Sequence, residues 1–113
     1  MTVEAPRNIA LHHRTTRAYT LRQVEGPGAP REIPLTLDEY IIGRSRSADV
    51  QIDSPELSRK HFLLKRENKE YTATDLRSRN GIYLNGVKMH SASLRSGDSL
   101  QIGNVIFIFV EGF

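Results

Sequence analysis

The chain is divided into short apolar runs by turn-forming residues, and this spacing is the feature that most limits its fold. From Ala18 onward, each run soon ends at Gly, Pro, Asn or Asp. Asn85-Gly86 directly follows one such run and Gly103-Asn104 lies between two, and both dipeptides are typical of β-hairpin turns. No window of about a dozen residues repeats its apolar positions at the helical period. The sequence therefore predicts an all-β sandwich or barrel.

The predicted strands are the apolar runs themselves. The first contains Tyr19, Leu21 and Val24. The others lie at 33–37, 40–42, 50–52, 61–65, 71–76, 82–84, 100–102 and 105–110. Residues 67–70 are expected to form the turn of a hairpin, and residues 55–60 could hold a single helical turn.

Composition favours one domain and excludes cysteine chemistry. A chain of 113 residues with 38% apolar side chains can build one core. We expect residues 18–113 to form the domain and residues 1–17, which show no periodicity, to be a flexible tail. Without cysteine there is no disulfide and no thiol nucleophile. The longest apolar run, 105–110, is too short to span a membrane, and no secretory signal is visible. We therefore expect a cytoplasmic protein without a membrane partner.

Three predicted loops are rich in cationic side chains. The first loop is residues 43–47, the second loop is residues 57–60 and the third loop is residues 77–81. Together they contain six cations and no acid: Arg44, Arg46, Arg59, Lys60, Arg77 and Arg79. Two antiparallel strands separate the second loop from the third, so both should lie at the same end of the sandwich. The short strand after the first loop cannot carry that loop far away. Arginine forks, serine hydroxyls and an asparagine amide at one end would suit a multiply charged oxyanion.

Taken one at a time, most of these residues have ordinary structural interpretations. A loop arginine such as Arg44 is commonly a solvated charge, and Ser58 is commonly a turn residue. Ser58 and His61 could also form a nucleophile–base pair oriented by Asp75, but that spacing supplies neither an oxyanion hole nor a substrate cleft. Three other histidines lack the partners of a metal site: His12, His13 and His90.

Two other classes of function compete with anion recognition. The net charge of +3 and the pI near 9.5 would suit a nucleic-acid-binding module. Aromatic residues are only 7%, Trp is absent and no basic helix is visible, so we expect no nucleic-acid partner. The chain has no Gly-rich nucleotide loop and no metal-binding carboxylate cluster. We therefore expect no enzymatic activity, no metal and no cofactor.

One ordered set of motifs runs from residue 43 to residue 103, within a similarity that covers about residues 18–111. It comprises Gly43-Arg44, Leu57-Ser58-Arg59-Lys60-His61, Asp75-Leu76-Arg77-Ser78-Arg79-Asn80-Gly81 and Leu84-Asn85-Gly86, followed by Leu94, Gly97-Asp98 and Ile102-Gly103. Each motif is weak by itself, but their order and spacing are highly specific. In these motifs the chain resembles the forkhead-associated (FHA) domain.

This resemblance implies a fold and a function. The fold would be an FHA/SMAD-like sandwich of about eleven mostly antiparallel strands, with binding loops at one apex. FHA domains bind phosphothreonine peptides and are not enzymes. The resemblance thus implies a phosphothreonine-dependent interaction module in kinase signalling, whose partners are phosphorylated substrates of Ser/Thr kinases.

The resemblance also implies roles for individual residues. By motif position, Arg44 and Ser58 would hold the phosphate, and Arg59 would line the phosphothreonine pocket. Asn80 would bind the main chain of the peptide. Five residues would support the site structurally: Gly43, which would admit a turn, His61, which would brace the loops, and Gly81, Asn85 and Gly86.

Two positions depart from the family pattern. Arg79 stands where the family usually has Thr, and Arg77 stands where it usually has Gly. Arg79 places an additional cation beside the expected phosphate, so we predict a peptide preference that tolerates or favours acidic residues.

Two further possibilities stay open at this point. The chain could be an FHA-like assembly surface that no longer binds phosphate, although Arg44, Ser58 and Asn80 are retained. If a kinase modified Thr15 or Thr16, the tail could occupy its own binding site or that of a second molecule.

Overall fold

Two packed β-sheets account for the fold. A computed structural model describes residues 18–112 of the chain. This part contains eleven strands: β1 (Ala18–Glu25), β2 (Arg31–Leu35), β3 (Glu39–Gly43), β4 (Val50–Gln51), β5 (Phe62–Glu67), β6 (Glu70–Asp75), β7 (Ile82–Leu84), β8 (Val87–Met89), β9 (Ser91–Ser93), β10 (Ser99–Ile102) and β11 (Val105–Gly112). The predicted all-β sandwich of about eleven strands is confirmed. The predicted tail, with Thr15 and Thr16, lies outside the described residues.

The two sheets differ in size and in strand order. One sheet has five strands in the order β9-β6-β5-β3-β4, and the other has six in the order β2-β1-β11-β10-β7-β8. Among the described strands, β3 and β4 form the one parallel pair, and the other neighbours are antiparallel. The sandwich is therefore dominated by antiparallel pairing, as predicted.

Alternation along β11 shows how the core is filled. Val105, Phe107 and Phe109 are buried between the sheets, whereas Ile106 and Ile108 are only half-buried on the outer face. Although the run is apolar throughout, its side chains point alternately to the core and to the outer face, as in any β-strand. In the core the Phe107 ring meets the Phe62 ring of the other sheet edge-on, with centroids 6.3 Å apart.

Two hairpins have the turns that the sequence predicted. Between β5 and β6, Asn68 and Lys69 both have positive φ, 52° and 71°. Between β7 and β8, Asn85 and Gly86 also have positive φ, 51° and 86°. Positive φ at both central residues defines the type I′ turn, whose twist matches that of paired strands.

Three local expectations differ from the structure. The strand expected over 33–37 ends at Leu35, and Leu37 is 57% exposed because the chain turns there. β9 (Ser91–Ser93) was not predicted, since its small polar residues carry no apolar alternation. No helix occurs within residues 18–112, so the helical turn considered for 55–60 does not form. That part of the chain likewise contains no helix long and apolar enough to cross a membrane.

Candidate functional site: three joined loops at one end of the sandwich

The first and second loops are joined by their backbones. β3 ends at Gly43, and the chain next donates two hydrogen bonds to the second loop. Arg44 N donates to Ser58 O (3.0 Å), and Ser45 N donates to Arg59 O (3.1 Å). The two loops therefore run side by side, as the short β4 strand led us to expect.

The third loop is joined to the second through a serine hydroxyl. β5 and β6 are antiparallel neighbours, with Phe62 opposite Asp75, so the second and third loops emerge at the same end. Arg79 N donates to Ser58 Oγ at 2.9 Å. All three loops thus meet around Ser58.

Gly43 is required by close packing of the backbone rather than by a turn. Its φ is not among the positive values in the chain. A Cβ at this position would overlap Arg59 O, and it would lie 2.7 Å from the Arg59 carbonyl carbon and 2.9 Å from His61 N. The turn-forming role that the family resemblance suggested for Gly43 is therefore replaced by a steric one.

His61 connects the second loop to the third from inside the protein. The side chain is fully buried. Ser58 N donates to His61 Nδ1 (3.0 Å), so the ring proton lies on Nε2, which donates to Gly81 O (2.8 Å). Burial lowers the pKa of His61 below its ordinary 6.5, against the opposing effects of the Gly81 hydrogen bond and the Asp75 charge. The imidazole is therefore held neutral.

These contacts do not assemble a catalytic triad. His61 Nδ1 bonds the backbone N–H of Ser58 rather than its hydroxyl, and His61 Nε2 bonds Gly81 O rather than a carboxylate. The Asp75 carboxylate instead accepts from the hydroxyl and the N–H of Ser78. The Ser–His–Asp arrangement considered from the sequence is not formed.

Ser78 and Arg77 shape the third loop, and sequence reasoning assigned neither a role. The Ser78 hydroxyl donates to Asp75 Oδ1 and accepts from Gly81 N (2.8 Å). Gly81 is buried and has a φ of 75°, and Arg77 has a φ of 58°. The left-handed conformation at Arg77 explains why a glycine would fit that position.

Arg44 is anchored by one nitrogen and leaves the others available. Its Nε donates to Leu57 O at 3.1 Å, and the side chain is half-buried. Within residues 18–112, the ion pairs involve Arg22 and Lys65, not the loop cations. The terminal amino groups of Arg44 therefore remain free in the described structure to bind an anion with a planar fork of donors.

The Ser58 hydroxyl is also prepared to donate. Because its oxygen already accepts from Arg79 N, its proton is free for another acceptor. The neighbouring Arg59 side chain is exposed and has no hydrogen bond to any described residue. Ser58, Arg59 and Arg44 thus carry unused donors on two adjacent loops.

Asn80 and Arg79 hold the segment that precedes Ser58. Asn80 Nδ2 donates to Glu56 O (2.6 Å), and Arg79 Nη2 donates to Pro55 O (3.0 Å). The Asn80 side chain still has its Oδ1 atom and one N–H available for a ligand. Sequence reasoning placed Asn80 at the site but missed Glu56, since only the folded loop brings the two together.

Asn85 and Gly86 are separated from the third loop by strand β7. Asn85 Nδ2 donates to Asp98 Oδ1 (3.0 Å), and Asn85 Oδ1 accepts from Ser99 N (2.9 Å). A Cβ on Gly86 would meet nothing within 4 Å. The pair therefore ties the β7–β8 turn to the start of β10 and touches no loop cation.

The fold and this loop arrangement define a two-sheet sandwich with three joined, cation-rich loops at one end. A family model of the FHA domain matches residues 40–103, which include all three loops. The chain belongs to the FHA domain family.

Bacterial regulators are among its relatives. It is 33% identical over 87 residues to an oxoglutarate dehydrogenase inhibitor of Corynebacterium diphtheriae, which covers 77% of this chain and 61% of the relative. It is 34% identical over 87 residues to the glycogen accumulation regulator GarA of Mycobacterium tuberculosis, covering 77% and 54%. The chain thus corresponds to somewhat more than half the length of these relatives.

Solved FHA structures share the fold. One FHA domain with phosphothreonine-dependent interactions is 26% identical, with a TM-score of 0.75 over 82% of this chain and 95% of that one. EmbR of Mycobacterium tuberculosis in complex with a low-affinity phosphopeptide is 28% identical, with a TM-score of 0.76 over 82% of this chain and 24% of that one.

Proposed function

We propose that this chain is a phosphothreonine-dependent interaction module that recognises phosphorylated proteins in kinase signalling. The observation that carries the proposal is that Arg44, Ser58 and Arg59 keep unused side-chain donors on two loops that are joined by backbone hydrogen bonds. Family membership and the phosphopeptide complexes of similar proteins support the same ligand class.

The unused donors match the chemistry of a phosphate ester. Phosphothreonine carries about −1.5 to −2 charges at neutral pH and three strong acceptor oxygens. The Arg44 fork would bind two of these oxygens, and the Ser58 hydroxyl would donate to one of them. Arg59 would add charge from the side and line the pocket. Burial of the threonine methyl would contribute about 0.8 kcal/mol, which alone gives only about a fourfold preference over phosphoserine.

Asn80 would orient the peptide beside the phosphate. Its Oδ1 atom can accept a main-chain N–H and its remaining N–H can donate to a main-chain carbonyl, so it suits an extended ligand. Gly43, His61 and Gly81 would fix the position of this amide relative to the phosphate donors, because their contacts join the loops that carry these groups. Asn85 and Gly86 would support the six-stranded sheet, since they join the β7–β8 turn to the start of β10.

The regulatory relatives support a non-catalytic role for the whole protein. An inhibitor of oxoglutarate dehydrogenase and a regulator of glycogen accumulation both contain a region similar to this chain. We infer that this chain likewise acts by binding phosphorylated partners, and that residues 18–113 form the binding domain.

The proposal is tested with a degenerate peptide library that has a fixed phosphothreonine. Binding is measured by fluorescence anisotropy, with unphosphorylated and phosphoserine peptides for comparison. Arg44→Ala removes two charge-assisted hydrogen bonds worth about 1.5–3 kcal/mol each, so affinity should fall by more than about a hundredfold. The matched control is Arg95→Ala. Arg95 is an exposed cation beside the turn at Asn68 and Lys69, at the other end of the sandwich. Binding that ignores the phosphate, or an Arg44→Ala protein that binds normally, would show that the proposed function is wrong.

A further inference from the structure

A pocket beside Asn80 has a character opposite to that of the cationic loops. It has a volume of about 340 Å³ and is lined by Glu56, Asn80, Tyr83, Gln101 and Gly103. No lysine or arginine contributes to this lining. The volume lies at the lower end of the range for ligand pockets, which suits one long side chain of a larger ligand.

Both side-chain amides that line this pocket keep an unused oxygen. Gln101 Nε2 donates to Gly103 O at 3.2 Å, and Asn80 Nδ2 donates to Glu56 O at 2.6 Å. Each amide has thus used one donor on the protein itself, while its side-chain oxygen has no hydrogen bond to the described residues. Two amide oxygens therefore remain to accept hydrogen bonds from a ligand.

Glu56 adds an unpaired negative charge. Its side chain is exposed, and its Oε1 atom would lie 3.2 Å from a Cβ built on Gly103, so the carboxylate borders the pocket. None of the ion pairs within residues 18–112 includes Glu56. A cation of a ligand would be repelled by Arg59 and Arg79 but attracted here.

We propose that this pocket is a second recognition point, which binds a lysine or arginine side chain of the phosphorylated partner. The proposal rests on the phosphopeptide function above. The Glu56 carboxylate pairs with the cationic head, and the side-chain oxygen of Gln101 accepts one of its remaining N–H groups. The half-exposed Tyr83 ring packs on the aliphatic stem or on the cation itself.

The pocket is physically connected to the phosphate-binding loops. Glu56 lies two residues before Ser58 in the sequence, and its carbonyl oxygen is bonded to the Asn80 amide that would orient the peptide. A ligand held by Asn80 would therefore present a nearby side chain to Glu56 while its phosphate contacts Arg44. The partner sequence should combine a phosphothreonine with a basic residue at one fixed distance. This preference is separate from the acidic one expected near Arg79, and the two should occur at different peptide positions.

The test uses phosphothreonine peptides in which one flanking position at a time is Lys, Arg, Ala or Glu. Affinities are measured by fluorescence anisotropy for the wild type, Glu56→Gln, Glu56→Lys and the matched control Glu70→Lys. Glu70 is exposed and begins β6, at the end of the sandwich away from the loops. At one flanking position, the wild type should favour Lys or Arg over Glu by about threefold to tenfold, an effect expected for a partly exposed charge pair beside an aromatic ring.

The variants separate this subsite from the phosphate site. Glu56→Gln should remove the preference and leave the binding of the Ala peptide intact, while Glu56→Lys should reverse the preference toward Glu. Glu70→Lys should behave as the wild type. If phosphothreonine peptides bind without any basic preference, or keep that preference in Glu56→Lys, the subsite is wrong and the proposed function stands. If no peptide binds in a phosphate-dependent manner, both are overturned.

Discussion

Replacing Gly43 with alanine should damage stability and binding together, because this residue lies where the first two loops touch. The added methyl group would overlap Arg59 O and lie 2.9 Å from His61 N, both of them backbone atoms. Neither atom can rotate away as a flexible side chain would. Relief therefore requires the first loop to move away from the second.

The size of the effect follows from the contacts that such a movement breaks. Overpacking of this kind costs about 1–3 kcal/mol. Three backbone hydrogen bonds hold the loops beside Gly43: Arg44 N to Ser58 O, Ser45 N to Arg59 O and His61 N to Ile42 O. Each is worth about 1 kcal/mol, so partial loss brings the total to about 3–5 kcal/mol. That is a large part of the roughly 5–15 kcal/mol that stabilises a typical domain.

Urea unfolding and phosphothreonine-peptide binding would measure the two consequences. With an m-value of about 2 kcal/mol per molar, the urea midpoint should fall by about 2 M. Gly86→Ala is a control with positive φ but open space, and it should cost only about 1 kcal/mol. Gly112→Ala has open space and no positive φ, so it should be nearly neutral. A Gly43→Ala protein as stable as Gly112→Ala would refute the steric argument.

His61, which connects the second and third loops, and Arg77 in the third loop each give a further prediction. The pKa of His61 is lowered on folding, so the unfolded chain binds more protons and the free energy of unfolding should decrease as the pH falls below about 6.5. Urea midpoints between about pH 7.5 and about pH 5.5 should show this decrease in the wild type and not in His61→Gln, and an equal slope in both would contradict it. Arg77→Gly should relieve the left-handed backbone at φ 58° and raise stability by up to about 1 kcal/mol. Thermal unfolding checks this, and a lower melting temperature would be the opposite of the expected result.

Most of the sandwich could be predicted because its strands and turns are encoded locally. The hairpin turns at Asn68-Lys69 and Asn85-Gly86 lie where the sequence placed them. β9 (Ser91–Ser93) was not predicted, because it pairs with β6 through its backbone and its small polar side chains have no apolar alternation.

The clustering of the candidate site residues could be predicted from the sequence, but the hydrogen bonds between them could not. The clustering of Arg44, Ser58 and Asn80 follows from the loops that carry them. The direction of each hydrogen bond does not, since Asn80 reaches Glu56 O only through the tertiary fold. The motif likewise singled out Gly43, but only the structure shows why a glycine fits there: a Cβ would meet the Arg59 backbone.

We propose above all that donors at the junction of the three loops bind a phosphate on an extended peptide. The most direct measurement is a two-dimensional ¹⁵N–¹H NMR titration of the intact chain with a phosphothreonine peptide and with its unphosphorylated form. We predict phosphate-dependent shifts of the amide signals of Arg44, Ser58 and Asn80, with those of Asn68 and Lys69 unchanged. Shifts confined to the Asn68-Lys69 end, or equal shifts with the unphosphorylated peptide, would contradict the account.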